Sequence, residues 1–438
     1  MGKTNNFLYS FLFILLILLC TASCNTIEPP DPPPPPPPVY KDTITVTVED
    51  VTHRSITVNI KTTVNNPKSS INLFRIYGNT AELLRADYPI TVSDTSIIDE
   101  GLELSTTYTY YAVRIDTTGE RKDSSNIVEA RTLNATNFNY TWQEFTIGEW
   151  NSVLYDVWGT DENNVYAVGT VMFNDTAYGV IKWNGNEWTS EKRIGGLRAI
   201  HGFSGNDIWT VGGGVYHFDG VEWNKIDSYT SGGQSIPLDT ALFNNLPYTS
   251  VWGTSSSNMY FGNSHGRIIH WDGNKASVVY IHESDVVVND LDGYSSDFII
   301  GIGIGFTPPL LAIYYNGVSW NKLPIENDPS LRSVAIVSRN HIYFAGSGIY
   351  ELKWNNFYRI YTSGYFMYDI EYNRQMGVTV AAGPFDGVYI NNGIEWRDYR
   401  SQISTDNTAY SGIFLINNTV FCVGSTLNEA KIIIGKNN

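Results

Sequence analysis

Charge is scarce in this sequence, and positive charge is the scarcer kind. Only 16% of the 438 residues are charged, and 28 lysines and arginines stand against 44 aspartates and glutamates, which gives a formal net charge of −16. An acidic surface repels phosphate backbones, so we expect no nucleic-acid partner. Aromatic residues (14%) and glycines (38) are abundant instead. This composition is typical of β-rich, turn-rich proteins rather than helical ones.

Long hydrophobic runs are also missing, apart from one near the start. The stretch between Phe7 and Cys20 is almost wholly apolar and follows Lys3. It is too short to cross a bilayer comfortably, which takes about 20 apolar residues. A positive charge, a short apolar stretch and small residues are typical of a secretory signal.

The end of that signal, Leu19-Cys20-Thr21-Ala22-Ser23-Cys24, resembles a bacterial lipobox. The resemblance implies a signal peptide at 1–23, a lipid on Cys24, and anchoring at the outer membrane, facing the cell surface or the periplasm. An ordinary signal peptide with a chance cysteine is the alternative. Residues 24–40 would form the anchor and a linker, in which the run Pro32–Pro38 predicts a stiff polyproline II spacer.

Cysteine is nearly absent as well. Of three cysteines, Cys20 would leave with the signal and Cys24 would carry lipid, so only Cys422 remains. No disulfide can then form within the mature chain, and burial must hold the exported protein together. Cys422 lies in an apolar strand pattern, which predicts a buried thiol. We expect a monomer.

Residues 41–134 alternate in the manner of β-strands, as in Ile44–Val48 and Ile56–Ile60. The segment Gly101–Arg114 resembles the fibronectin type III motif around its tyrosine corner. The resemblance implies a β-sandwich in which the hydroxyl of Tyr108 bonds to backbone upstream.

Residues 139–438 repeat one unit. Each copy has an apolar strand that often ends in Trp-Gly, a second strand that ends in Gly, a third closed by Asn-Gly or Asp-Gly, and then Trp. Periods of about 40 to 50 residues with four short strands are typical of β-propellers. The second-strand glycines number the copies: Gly169, Gly212, Gly262, Gly303, Gly346, Gly383 and Gly424.

The count predicts seven blades, with six or eight as lesser options. The seventh copy ends at Asn438 before a fourth strand, and the segment Asn139–Phe145 has the missing pattern. We therefore expect the first strand to complete the last blade, because closure removes exposed sheet edges. The repeats resemble bacterial propellers with a Trp-Gly and Asp-Val-Tyr-x-Val-Gly rhythm, and more loosely Kelch repeats. The predicted fold class is all-β: a fibronectin type III-like β-sandwich plus a seven-bladed β-propeller.

No catalytic residue, metal site or cofactor site emerges from the sequence. Residues that recur in every copy are needed for packing, whereas a catalytic residue is needed once. His217 and His270 precede Asp219 and Asp272 by two positions, but a metal needs more convergent ligands than one such pair. His201 stands where other copies have Trp, which predicts a packed substitute.

Irregular loops are where function tends to reside in such folds. Loop residues on the face formed after the second and fourth strands are the candidates for ligand binding. They are Tyr229, Gln234, His265, Arg267 and Phe306.

Three functions remain open from the sequence, and one of them is that of a purely structural part of an assembly. The first is a non-catalytic, membrane-anchored recognition or scaffold lipoprotein that binds a protein or a glycan through one propeller face. The alternative is a carbohydrate-active enzyme (hydrolase, lyase or glycosyl transferase) with its site over the propeller channel. Convergent acids with an arginine in that channel would favour the enzyme.

Overall fold

The computed structural model describes residues 43–63, 69–89, 94–226, 228–231, 234–237, 247–305, 310–325, 330–362, 364–403 and 407–438. Within these ranges the secondary structure is entirely β, with no helix. Signal, anchor and linker, with Cys24, lie outside the described residues, and so does Phe306.

The first described strands form two antiparallel sheets around one hydrophobic core, which we call the two-sheet domain. One sheet has the order β1-β2-β5, and the other has the order β4-β3-β6-β7 with β8 also paired to β6. Alternate residues such as Val46, Val58 and Tyr110 point into the shared core, as period-two patterns require. The strands are β1 (Thr43–Val51), β2 (Ser55–Thr63), β3 (Ser70–Tyr77), β4 (Thr80–Pro89), β5 (Asp94–Glu100), β6 (Thr107–Ile115), β7 (Arg121–Ser124) and β8 (Val128–Arg131).

Tyr108 makes the bond expected of a corner tyrosine. The backbone N–H of Glu103 donates to its hydroxyl oxygen at 3.0 Å, while its ring is buried in the core. This contact ties the turn before β6 to the sheet.

The described part of the remaining chain builds seven four-stranded antiparallel sheets, the blades of a propeller. Within each blade the strands pair in chain order from the innermost outward. A two-stranded hairpin follows blade 2. The strands are β9 (Tyr140–Ile147); blade 1, β10 (Val153–Asp161), β11 (Asn164–Phe173), β12 (Thr176–Trp183) and β13 (Trp188–Lys192); blade 2, β14 (Ala199–Ser204), β15 (Asp207–Val211), β16 (Val215–Phe218) and β17 (Trp223–Lys225); the hairpin, β18 (Ser228–Ser231) and β19 (Gln234–Pro237); blade 3, β20 (Tyr248–Ser255), β21 (Asn258–Asn263), β22 (Arg267–Trp271) and β23 (Ala276–Ile281); blade 4, β24 (Val286–Ser295), β25 (Phe298–Gly305), β26 (Leu311–Tyr315) and β27 (Trp320–Lys322); blade 5, β28 (Leu331–Ser338), β29 (His341–Gly346), β30 (Ile349–Lys353) and β31 (Asn356–Tyr361); blade 6, β32 (Asp369–Asn373), β33 (Val378–Ala382), β34 (Val388–Asn391) and β35 (Trp396–Asp398); and blade 7, β36 (Ala409–Ile416), β37 (Thr419–Ser425) and β38 (Ala430–Asn437).

Strand β9 is the fourth strand of blade 7 and closes the ring. It pairs antiparallel with β38 along its whole length, from Tyr140↔Asn437 to Ile147↔Ala430. The N–H of Asn438 also donates to the carbonyl of Asn139 at 3.0 Å. Each inner strand contacts the next, and β36 contacts β10. The predictions of a β-propeller and of closure by its first strand are confirmed.

The Trp-Gly pair of the repeat joins neighbouring blades. The indole of Trp158 lies against Gly202 of the next blade, where an added Cβ would come within 2.5 Å of the ring, and Trp252 meets Gly293 of the next blade in the same way. In blade 2, Nε2 of His201 lies 3.0 Å from the carbonyl oxygen of Gly253. The prediction that His201 is a packed substitute is confirmed.

The two-sheet domain rests on blades 5 and 6. Trp354 Nε1 donates to a Glu100 carboxylate oxygen at 3.0 Å, and Lys353 Nζ lies 3.3 Å from the same oxygen. The ring of His53 is buried and fits over Gly377 and Gly393, where a Cβ at either position would lie within about 2.2 Å of it. All the propeller residues in these contacts belong to turns between the first and second or the third and fourth strands.

Substituting Gly202→Ala should destabilise the propeller. The new methyl group would collide with the Trp158 ring, which packs against the core between blades 1 and 2. Overpacking of this kind costs about 1–3 kcal/mol, to be measured by chemical denaturation.

Gly213→Ala is the matched control, because nothing lies within 4 Å of an added Cβ there. Equal losses in the two variants would contradict the packing role of the Trp-Gly pair.

Candidate functional site

A bulge at the start of the inner strands turns side chains toward the propeller axis. In five blades the pairing between the first two strands skips one residue of the inner strand. Such a bulge re-aims the extra residue and often lies beside a functional site. The skipped residues are Tyr155, Thr249, Asn289, Arg332 and Ser411.

Blades 2 and 6 have Arg198 and Tyr368 at the matching position, directly before their inner strands. We call these seven residues the mouth ring. All seven line a cavity of about 640 Å³ along the propeller axis, the axial cavity. Because the inner strands begin at the mouth ring and end at the turns that contact the two-sheet domain, the mouth ring and that domain lie on opposite faces.

Two arginines of the mouth ring stack on tyrosines of neighbouring blades. The guanidinium carbon of Arg198 lies 4.0 Å from the centroid of Tyr155, and that of Arg332 lies 4.7 Å from the centroid of Tyr368. Neither arginine has an ion pair among the described residues. Loss of water lowers the pKa of Arg332, which Tyr368 and Asp369 oppose in part, while the positive charge of Arg198 adds to the lowering. The two guanidinium groups are therefore held in place by tyrosine rings rather than by an ion pair.

Three aspartates, each one residue after a member of the mouth ring, link consecutive blades. Each accepts a hydrogen bond from the backbone N–H of the following inner strand. These bonds join inner strands of different blades, which share no sheet in this fold. The three bonds run to Asp156 from Ile200 (2.8 Å), to Asp290 from Val334 (2.9 Å) and to Asp369 from Ile413 (2.7 Å).

Two more carboxyls lie further down the cavity. Asp292 accepts from the N–H of Ile336 at 2.9 Å, whereas the carboxyl group of Glu371 makes no hydrogen bond to a described residue and is exposed to the cavity. Loss of water, followed by repulsion from Asp290, raises the pKa of Asp292 and of Asp369 to about 7.

Loss of water, and then the charges of Asp369, Asp292, Asp290 and Asp156, raise the pKa of Glu371 well above its ordinary value. Since its side chain is open to the cavity, repulsion within the cluster weighs more than the loss of water. The axial cavity thus has a cationic rim above an acidic floor.

Of the residues proposed from sequence, His265 and Arg267 lie beside this site rather than in it. Exposed His265 and half-buried Arg267 lie at the turn from β21 to β22, and both backbone N–H groups donate to the Asn263 side chain. Their neighbour Ser264 lines the axial cavity. Tyr229 and Gln234 lie on the hairpin strands β18 and β19.

Sequence reasoning missed the mouth ring. A signal was present: each of its members directly follows a buried residue at the same repeat position, for example Leu154, Leu197, Leu331 and Met367. Aligning the copies at that position, rather than at Trp-Gly, would have gathered the seven residues.

The pairs of histidine and aspartate have local partners instead of a shared ligand. His217 Nε2 lies 2.9 Å from Asp207, and His270 Nε2 lies 2.7 Å from Asn258. No group of three or more His, Cys, Asp or Glu side chains placed to hold a metal occurs within the described ranges.

No protein-family model matches the chain, and no curated protein matches it. Solved structures resemble it. "YCF48 bound to D1 peptide" has a TM-score of 0.52 at 14% identity and covers 70% of this chain and 100% of its own. BBS1N in complex with ARL6DN has a TM-score of 0.46 at 9% identity, covering 69% of this chain and 97% of its own. BamB from Moraxella catarrhalis has a TM-score of 0.39 at 10% identity, covering 68% and 98%.

At these identities the likeness concerns the fold alone. The chain is an all-β protein that contains a β-propeller. In the part of the chain that the structure describes, no helix is long and apolar enough to cross a membrane.

Glu371→Gln should raise the melting temperature more at pH 8 than at pH 5. A carboxyl with a raised pKa binds its proton more tightly in the folded state, so folding stability falls as pH rises from the ordinary value of 4.5 through the folded value. The amide removes this charge from the cluster.

Glu222→Gln, on an exposed turn of blade 2, is the control for the change in net charge. An increase at Glu371→Gln that is the same at both pH values would rule out the expected coupling. Thermal melting followed by circular dichroism measures both variants.

Proposed function

We propose that the chain is a membrane-anchored recognition or scaffold lipoprotein whose propeller binds a segment of another protein at the mouth ring. The observation that carries this proposal is the pair of stacked arginines, Arg198 and Arg332, which line an open cavity and form no ion pair with a described residue. The opposite face is in contact with the two-sheet domain, so the mouth ring is the face left for a partner.

A structural neighbour with a TM-score above 0.5 supports the choice of a protein segment as the ligand. In that structure, YCF48 is bound to a peptide. A peptide is therefore a ligand class that a propeller of this fold can hold.

The remaining parts of the proposal come from the sequence. Cys24 would carry the lipid, 24–40 would hold the folded part away from an outer membrane, and 41–134 would be a fibronectin type III-like module ahead of the propeller at 139–438. The strand order of the two-sheet domain and the Tyr108 hydrogen bond support the module assignment. Tyr229, Gln234, His265, Arg267 and Phe306 would flank the bound segment.

A displayed random-peptide library, panned against the full-length chain, tests the proposal. Enriched peptides should lose at least about tenfold in affinity when Asn289→Trp fills the mouth ring. Ser190→Trp, on the exposed outer strand of blade 1, should leave their affinity unchanged.

Equal effects of the two tryptophans would contradict binding at the mouth ring. A glycan array run beside the library decides between the two classes of partner. Binding to glycans without any enriched peptide would show that the partner is a glycan and not a protein.

A carbohydrate-active enzyme is the second candidate, and the carboxyl cluster favours it. Glycoside hydrolysis needs two facing carboxyls, one of them kept protonated by a raised pKa. Glu371 fits the role of the general acid, because its carboxyl group has a raised pKa and makes no hydrogen bond to a described residue. Asp156, Asp290 and Asp369 fit the second role less well, since each accepts a backbone hydrogen bond.

Sugar release from a panel of polysaccharides tests this candidate. Glu371→Gln should lower any activity at least about a hundredfold, the range expected of a lost general acid, while Glu222→Gln should not change it. Activity that survives in Glu371→Gln, or no turnover on any polysaccharide of the panel, would reject the assignment.

A further inference from the structure

We propose that the mouth ring is a carboxylate-binding site, in which Arg198 and Arg332 receive the acidic groups of an acidic peptide. The assignment rests on the proposed function and names the chemistry of its ligand. It follows from how the two arginines are held, from what surrounds them, and from the acidic floor beneath.

Arg198 and Arg332 line the axial cavity and form no ion pair with a described residue, although carboxylates are abundant in this protein. Acids outnumber bases by 44 to 28, and four arginines elsewhere hold a carboxylate: Arg75 with Asp99, Arg114 with Asp123, Arg339 with Asp297 and Arg400 with Asp398. Arg198 and Arg332 have tyrosine rings instead.

Stacking on an aromatic ring occupies the face of a guanidinium group and leaves its N–H edge available. That edge matches the two oxygens of a carboxylate in a bidentate pair. Because the rings already fix both side chains, little rotamer entropy is lost when a ligand binds. The loss of water around Arg332 also favours any anion that replaces it.

The acidic floor limits which anions can enter. Asp290 is one residue below the ring and Asp292 two residues further, about 7 Å deeper at 3.3 Å per residue. A polyanion such as nucleic acid or polyphosphate would meet five carboxyls within the cavity. An isolated carboxylate stays at the rim, and a neutral or basic group can point inward toward Glu371.

An acidic peptide therefore fits better than a densely charged polymer. The carboxylate can come from an Asp or Glu side chain or from a free C-terminus, since both present the same two oxygens.

Pools of random peptides with one fixed position test the assignment on the full-length chain. The fixed residue is Asp or Glu in one set and Asn or Gln in the other, and each set is made with a free and an amidated C-terminus. We expect the acidic pools to bind at least about tenfold more tightly than the amide pools, given the strength of charge-assisted pairs. A preference that needs only the free C-terminus would assign the terminal carboxylate as its source.

Arg198→Gln and Arg332→Gln should each abolish the preference for acids. Arg193→Gln is the matched control, because Arg193 also lies over a tyrosine ring, that of Tyr178, but outside the axial cavity. Arg332→Lys should recover only part of the preference, since an ammonium group keeps the charge without the bidentate edge. Melting temperatures within a few degrees of wild type establish that the variants fold.

The outcomes separate the two proposals. If no peptide pool binds, the proposed function fails and this assignment fails with it. If pools bind but acids and amides bind equally, or if the preference survives both glutamine variants, only the carboxylate assignment is overturned. Binding of an oligouronate without any peptide pool would assign the arginines to an acidic sugar and overturn the peptide ligand.

Discussion

The pairing of β9 with β38 is the constraint on which the rest of the propeller depends. The last sheet reaches the four strands of the other blades only through β9, and without β9 the strand β38 would present an unpaired edge. With the ring closed, each inner strand contacts two others, and their first residues must face a common axis. The mouth ring is a consequence of that closure, because its members come from seven separate segments that share nothing but their place in the repeat.

Inner strands of neighbouring blades belong to different sheets, so no ladder of hydrogen bonds joins them. Asp156, Asp290 and Asp369 bridge three of the seven gaps by accepting backbone N–H groups from the next inner strand. The arrangement gathers carboxyls around the axis, where loss of water and then mutual repulsion raise the pKa of Asp292 and of Asp369. In the proposed site, structural bonding and ligand selection would draw on the same carboxyls.

The propeller could be predicted from the sequence repeat, whereas the mouth ring could not. The contact between Trp158 of one blade and Gly202 of the next recurs around the ring. It leaves a recognisable Trp-Gly pattern in the sequence, because each blade packs against its neighbour in the same way. The closing strand was predictable from its resemblance to other fourth strands.

The sequence analysis did not predict the mouth ring, because a β-bulge turns Tyr155 and Arg332 toward the propeller axis. A bulge cannot be recognised from a pattern of alternating residues. The identities of the mouth-ring residues also differ from blade to blade, as expected of residues that are not needed for packing. Loop length drew attention to the region around Tyr229 and Arg267 instead, since irregular length is visible in a sequence and the direction of a side chain is not.

The place where the chain enters the propeller has a mechanical meaning. Tension on the segment before Asn139 would reach the end of β9 first and peel it from β38 one pair at a time, beginning at Tyr140 and Asn437. The anchorage of the two-sheet domain through Glu100 and His53 offers a parallel path for that force into blades 5 and 6. A pull from the N-terminal side would then be shared with a docked domain before it opened the ring.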